Sequence, residues 1–194
     1  MTHDLTQSQS DMRSAYCSGG CGVLASSLAW LAAALAVLQA SPRQAVWVLF
    51  IGGAAIHPVA TILCKLFGAS GKHTRGNPLG TLALASLFWL IFSLPLAYAV
   101  SLHRIEWFFP AMLLVIGGRY LTFHMLFGLR VYWILGLALA AAGYWLGSSF
   151  AEPMASAFTG AAIEALFAVY LLVANRREVR PDNSPKPAAL RGPA

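Results

Sequence analysis

The chain has 194 residues, of which 58% are hydrophobic and 10% are charged, and its formal charge is +6. Soluble domains are roughly 45–50% apolar and about 25% charged. This composition therefore excludes an ordinary soluble domain and indicates an integral membrane protein. Membrane topology explains most of the basic residues, as shown below, so the positive charge does not indicate a nucleic-acid partner.

The first 21 residues are polar and include Asp4, Asp11 and Arg13. A signal peptide would begin with a basic region followed by an apolar stretch of roughly 7–15 residues and a cleavage site with small residues. The start of this chain is not basic. We therefore expect residues 1–21 to form a solvated cytoplasmic tail that is retained.

Six apolar segments follow, each about as long as the roughly 20 residues needed to cross a bilayer. The connections between them are short, which favours antiparallel neighbours in a compact bundle. The sequence predicts an all-α integral membrane protein with a six-helix domain over residues 22–174 and a basic, disordered cytoplasmic tail over residues 175–194. The predicted helices cover residues 22–40, 44–67, 79–102, 106–127, 131–148 and 153–174.

Basic residues predict the orientation, because cytoplasmic loops retain Lys and Arg. Six crossings place both tails on one side, together with two of the loops. Only Arg43 and Arg104 fall on the other side. We expect both termini to be cytoplasmic, in a bacterial inner membrane, with the C-terminal tail drawn to anionic inner-leaflet lipids. The predicted cytoplasmic side carries Arg13, Lys65, Lys72, Arg75, Arg130, Arg176, Arg177, Arg180, Lys186 and Arg191.

Three ionisable residues fall near the middle of the second, fourth and sixth predicted helices: His57, Arg119 and Glu164. Counting from the helix ends places all three in one layer, and small neighbours at helical spacing predict that His57 and Glu164 face the interior. A lone charge at this depth costs about 2.5–3.5 kcal/mol on insertion scales. We therefore predict an ion pair between Arg119 and Glu164. Pro58 removes a backbone donor and opens the helix beside His57.

Tyr120 and His124 are four residues apart, so they lie on one face of the fourth helix. Ionisable groups inside a membrane are candidates for function by default. A satisfied polar network that only holds the helices together is the alternative. The candidate polar layer or solute-binding site comprises His57, Arg119, Tyr120, His124 and Glu164.

The three cysteines are Cys17, Cys21 and Cys64. An odd number on or near the predicted cytoplasmic side, where thiols stay reduced, implies no disulfide framework. No histidine or further cysteine completes a metal-ligand set with Cys17 and Cys21 in the sequence. We therefore predict neither a metal site nor a cofactor.

Two short motifs carry a resemblance to a known family. Asn77-Pro78-Leu79 begins the third helix as an Asx cap followed by proline, and Gly117-Gly118-Arg119-Tyr120 leads to Phe123 in the fourth helix. Over residues 22–146 the chain resembles a family of small bacterial multi-pass membrane proteins with no established activity. The resemblance implies the architecture and transfers no catalytic or binding residue, and the charge at Arg119 is not assumed to be general.

Three functional interpretations follow. In the preferred one, a polar layer lines a path for a small solute that is anionic or proton-coupled. In the second, an intramembrane enzyme performs acid–base chemistry on a lipid, although the chain has no acidic diphosphate motif, no His-Glu-x-x-His pattern and no nucleophile motif. In the third, the protein is a structural or assembly partner in a homo-oligomer or with another membrane protein. The path of the first interpretation would be lined by His57, Arg119, His124 and Glu164.

Overall fold

A computed structural model describes residues 4–179, with side chains up to residue 176, and this part of the chain is helical without strands. Short 3-10 turns at Cys17–Gly19 and Ile105–Trp107 precede α2 and α5. Six helical segments are long and apolar enough to cross a membrane, which confirms the predicted fold class. The helices are α1 (Leu5–Tyr16), α2 (Gly20–Gln39), α3 (Pro42–Leu66), α4 (Leu79–His103), α5 (Phe108–Phe127), α6 (Val131–Ser148) and α7 (Pro153–Val179).

Local capping chemistry determines where several helices begin and end. The Ser41 hydroxyl accepts a hydrogen bond from the Gln44 backbone N–H at the start of α3, and Gly128 ends α5 in the left-handed conformation, with φ 69°. Polar caps and a left-handed glycine satisfy backbone groups that a helix end leaves free. Such signals are local, and the helix boundaries lie close to the predicted ones. The exception is α7, which extends to Val179, and the rest of the predicted C-terminal tail lies outside the described residues.

The residues before α2 do not form the predicted solvated tail. Residues 5–16 form helix α1, in which Ser8, Met12 and Ala15 are buried. These positions follow the i, i+4, i+7 spacing that lines one face of a helix. The segment is polar in composition but has one face that packs on the bundle. We call the end of the bundle where α1 lies the tail end.

Hydrogen bonds to the end of α5 hold α1 in place. The Gln9 side chain donates to the Met125 carbonyl at 2.9 Å, and Arg13 donates to the Phe127 carbonyl at 2.7 Å. The last carbonyls of a helix have no partner within the helix itself. Side chains of α1 therefore supply donors that the C-terminus of α5 lacks.

Asn77, from the Asn-Pro-Leu motif, joins α1 to the start of α4. Its side-chain oxygen accepts from the Leu79 N–H at 3.0 Å, as the predicted Asx cap requires. Its side-chain nitrogen donates to the Ser8 carbonyl and, at 2.7 Å, to the Asp11 carboxylate. Asp11 also accepts from the Thr74 backbone and hydroxyl. Asn77 of the motif therefore has a structural role, because it caps α4 and bonds that helix to α1.

The membrane-spanning helices form an inner and an outer layer. Helix α2 packs between α3 and α7, and α5 packs mainly against α6 and α4. In the most apolar stretch of α3 and of α4 only 11% of the residues are buried, against 50% in the segment that contains α2. We call α2, α5 and α7 the inner layer and α3 and α4 the outer layer; α6, with 28% of its most apolar stretch buried, lies between the two in burial and is assigned to neither.

Glycines allow α5 and α6 to approach closely. A Cβ at Gly117 would lie 2.7 Å from the Gly136 carbonyl oxygen, and a Cβ at Gly143 would lie 2.7 Å from that of Pro110. Small residues at helix interfaces permit such contact in membranes. Gly117 of the Gly-Gly-x-Tyr motif therefore serves packing.

Candidate functional site

Glu164 of α7 has no exposed surface, and among the described residues it is the one Asp, Glu, Lys, Arg or His that is buried. Its neighbours on the same stripe, Gly160 and Ala168, are also buried, so the predicted inward face of this helix is confirmed. The Tyr120 hydroxyl donates a hydrogen bond to Oε1 of Glu164 at 3.1 Å. A residue of the Gly-Gly-x-Tyr motif on α5 thus bonds directly to the carboxyl group on α7.

Two residues of α2 complete the surroundings of this carboxyl group. The Ser26 hydroxyl and the Trp30 indole lie beside it. A Cβ at Gly160 would lie 2.7 Å from the Trp30 ring, so the absence of a side chain there lets the indole pack against α7. We call Ser26, Trp30, Tyr120 and Glu164 the Glu164 cluster, and the three inner helices meet at it.

The Glu164 cluster is incompletely hydrogen-bonded. Oε2 of Glu164 and Nε1 of Trp30 are buried and have no hydrogen-bond partner. More than about 90% of buried polar groups in proteins are bonded, and exceptions call for a specific explanation such as strain, a catalytic role or an unseen water or ion. Oε2 of Glu164 is therefore free to bind a proton.

Arg119 does not reach Glu164. Its guanidinium carbon lies 5.4 Å from the centre of the Phe123 ring, and its Nε is buried without a partner. Residue 119 is about 100° around the helix from residue 120, so Arg119 and Tyr120 face different directions, and Arg119 lies within electrostatic reach of Glu164 without touching it. The predicted ion pair is absent from the contacts of the described residues, and the Tyr120 hydrogen bond takes its place.

His57 lies on the outside of the bundle, so its predicted inward face is wrong. Both His57 and Gly53 are exposed on α3. Helix α3 contacts α2 through Gly52, where a Cβ would lie 2.9 Å from that of Ala29. His57 is five residues beyond Gly52, about 140° around the helix. The small-residue stripe that suggested an interior face is directed away from α2.

His124 is half-buried, and its ring centre lies 6.3 Å from that of Trp133 on α6. Its Nδ1 is buried without a partner. The structure therefore brings Tyr120 and Glu164 together, keeps Arg119 and His124 on the same helix as Tyr120, and separates His57 from all four.

Ser26 and Trp30 are not among the site residues predicted from the sequence. One signal was available, because Trp usually lies at the membrane interface, whereas Trp30 falls in the middle of α2 and is fully buried. A tryptophan at mid-membrane depth with a serine four residues earlier indicates an interior polar position.

Clefts lie at both ends of the bundle. One of about 650 Å³ is lined by the segments 41–43 and 101–106, including Arg43, Arg104 and Glu106. The other, of about 240 Å³, lies at the tail end and is lined by residues that include Leu171 and Asn175 of α7. Leu171 is seven residues from Glu164, or about 10 Å along the helix.

A second cluster joins the three cysteines. The Sγ atoms of Cys17, Cys21 and Cys64 all lie within 4.8 Å of one another, and all three residues are buried. Cys64 is distant in sequence and is brought to the other two by the packing of α3 against α2. The fold therefore brings a third thiol, that of Cys64, to Cys17 and Cys21, which the sequence did not predict.

These features define the class of the protein: a six-helix membrane protein with a polar cluster buried between three helices. The chain belongs to a family of unknown function, DUF7010, whose sequence profile matches residues 5–174 and so covers all six spanning segments. The expectation of an uncharacterised family is confirmed. No curated protein and no solved structure matches the chain.

Proposed function

We propose that the protein is a carrier of a small anionic solute and that the Glu164 carboxyl group takes up and releases a proton during transport. The observation that carries the proposal is the complete burial of Glu164 with only one of its two oxygens hydrogen-bonded. Ionisable residues at this depth commonly mark ion pathways and proton relays.

The positions of the clefts support this proposal. They lie at opposite ends of the bundle, and the Glu164 cluster lies between them. On the tail-end side, buried Ala168 and Leu171 lie between the cleft and Glu164. This arrangement fits an occluded carrier, in which small movements of α7 would expose the carboxyl group to one side.

Arg119 supports an anionic solute. Its guanidinium is half-buried, one of its N–H groups has no partner, and no ion pair with Glu164 consumes its charge. A guanidinium group binds carboxylate and phosphate through parallel hydrogen bonds. An anion bound near Arg119 would lie within one helical turn of Tyr120, and Arg119 is itself within electrostatic reach of Glu164.

Proton-coupled flux in proteoliposomes tests the proposal. The full chain is reconstituted with an internal pH-sensitive dye, and phosphate, sulfate, lactate and succinate are added singly as probes. We expect at least one anion to drive proton uptake, Glu164→Gln to abolish it, and Glu152→Gln in the exposed loop to leave it unchanged. Uptake equal to that of the unaltered chain in a Glu164→Gln variant that inserts normally would contradict the role of Glu164, and no response to any probe would contradict anion transport.

The orientation and location are part of the proposal. The excess of Lys and Arg at the tail end favours a cytoplasmic position for both termini in a bacterial inner membrane. A phosphatase reporter fused after residue 194 should be inactive there, and a fluorescent protein at the same position should be bright. Active phosphatase would reverse the orientation.

A second function, assembly with another copy of the chain, is favoured by the exposure of His57. An imidazole facing hydrocarbon lacks hydrogen-bond partners, and the outer layer that carries it is mostly unburied. A second copy packed on α3 would cover His57 and the adjacent open Gly53. Native mass spectrometry from nanodiscs should show dimers for the unaltered chain and monomers for His57→Leu; monomers in both would contradict assembly through α3.

A further inference from the structure

We propose that Cys17, Cys21 and Cys64 bind one monovalent copper ion through three thiolates. The three residues come from separate parts of the fold: the turn before α2, the first turn of α2 and the last turns of α3. Their sulfur atoms lie within 4.8 Å of one another in a buried setting. The proposal concerns a different site from the Glu164 cluster and does not depend on transport.

The spacing of the sulfur atoms suits a single ion. Metal–thiolate bonds are about 2.3 Å long, so three sulfurs around one ion in a plane are about 4.0 Å apart. The observed limit of 4.8 Å exceeds this separation by less than an ångström. Small rotations about the Cα–Cβ bonds would close the remaining distance without moving the helices.

The composition of the cluster favours copper. It contains three thiols, with no imidazole or carboxylate among the described residues that belong to it. Hydrophobic side chains that include Ala60, Leu63 and Leu172 pack around it, together with Tyr16. Structural zinc requires four ligands, whereas soft thiolates select Cu(I), which accepts three-coordinate thiolate sites. A buried, three-thiolate site that lacks a fourth ligand therefore suits Cu(I).

The backbone positions Cys17 before any ion binds. Cys17 and Ser18 have φ values of 50° and 55°, in the left-handed region that side chains disfavour, and such residues persist only where the surroundings hold them. The Tyr132 hydroxyl donates to the Ser18 carbonyl at 2.7 Å, and the Ser18 hydroxyl donates to Asn175 at 2.9 Å. The turn that carries Cys17 is thus held by α6 and α7.

The chemical balance of binding is an exchange of protons for the ion. Three S–H bonds break, three Cu–S bonds form, and three protons pass to water, with no change in oxidation state. The resulting site carries a charge of −2. Arg176 lies within electrostatic reach of Cys17 and offsets part of this charge. The cluster also lies at the tail end, close to the aqueous phase from which an ion would enter.

Competition for Cu(I) tests the proposal on the full chain, purified in detergent without oxygen and with a reductant. Bicinchoninate, which is coloured when it binds Cu(I), serves as the competitor. We expect one equivalent of Cu(I) per chain, and each of Cys17→Ser, Cys21→Ser and Cys64→Ser to weaken binding by at least about tenfold, since even outer partners of metal ligands change affinity that much. Met125→Leu, which removes an exposed soft ligand, is the control and should have no effect.

The Cys64→Ser variant distinguishes a site of three thiolates from one formed by Cys17 and Cys21 alone. Unchanged affinity in a folded Cys64→Ser variant would overturn the three-thiolate site, as would binding retained after all three cysteines are replaced. X-ray absorption at the copper edge of the unaltered chain gives a result that does not depend on variants folding. Three sulfur neighbours at about 2.3 Å support the proposal, whereas two sulfurs, or nitrogen and oxygen ligands, overturn it.

Discussion

Glu164 and His57 both lie near the middle of a spanning helix, yet the structure treats them in opposite ways. Glu164, in the inner layer, is fully buried and bonded to Tyr120. His57, in the outer layer, is exposed, and its backbone carbonyl accepts a hydrogen bond from Thr61 of its own helix. Depth in the membrane therefore does not determine whether a side chain is buried. Burial depends on how many helices pack against the face that carries the side chain: other helices cover this face of α7, whereas the face of α3 with His57 is open.

The largest expected difference between the layers is the loss in free energy of unfolding when a glycine is replaced by leucine. Gly117→Leu inserts a side chain where a Cβ already lies 2.7 Å from the Gly136 carbonyl, so α5 and α6 must separate, at a cost of about 3 kcal/mol. Gly53→Leu in the outer layer has open space within 4 Å and should cost little. SDS titration in mixed micelles measures the free energy of unfolding. Equal losses in the two variants would show that the layers do not differ as described.

A smaller difference is expected for the two ionisable residues. Glu164→Leu leaves the Tyr120 hydroxyl buried without its acceptor, which costs about 1–3 kcal/mol. His57→Leu in the monomer removes a polar group from an exposed face and should leave the free energy of unfolding unchanged or raise it. The same titration in a detergent that keeps the protein monomeric gives both values. A large loss in His57→Leu would place the imidazole in the interior after all.

The smallest difference concerns two tyrosines. Tyr120→Phe removes one hydrogen bond between helices, for which about 0.6 kcal/mol is a typical value in membranes. Tyr98→Phe in the outer layer changes an exposed residue whose ring packs on aromatic rings and whose hydroxyl makes no hydrogen bond to the described residues, and it should have no measurable effect. Combining Tyr120→Phe with Glu164→Gln should cost less than the sum of the separate losses. Strict additivity would argue against direct bonding of Tyr120 to Glu164.

The buried state of Glu164 was predictable because its own helix carries the signal. Small residues at positions 160 and 168 lie on the same stripe, and both pack inward. The same rule failed for His57, although Gly53 lies on its stripe, because small residues also occur on faces that remain open. Gly52, the residue before Gly53, packs on α2, but adjacent residues of a helix point about 100° apart. Periodicity identifies a stripe, but it does not say which stripe is covered.

The hydrogen-bond partner of Glu164 could not be predicted from the sequence for a related reason. Arg119 and Tyr120 are adjacent and have nearly the same depth, so charge alone favoured Arg119. The rotation of α5 about its axis decides which of them faces α7, and that rotation is set where Gly117 packs on Gly136. The cysteine cluster shows the same dependence, because Cys64 joins Cys17 and Cys21 only through the packing of α3 on α2.

The sequence by itself determined the class, the six spans and most of their ends, because these depend on hydrophobicity, segment length and capping groups that act over a few residues. Only the tertiary structure decided which faces are covered, that α1 is a docked helix, that Tyr120 bonds to Glu164 and that three thiols meet. Each of these depends on how one helix is rotated and placed against another. That placement arises from contacts between residues far apart in the chain.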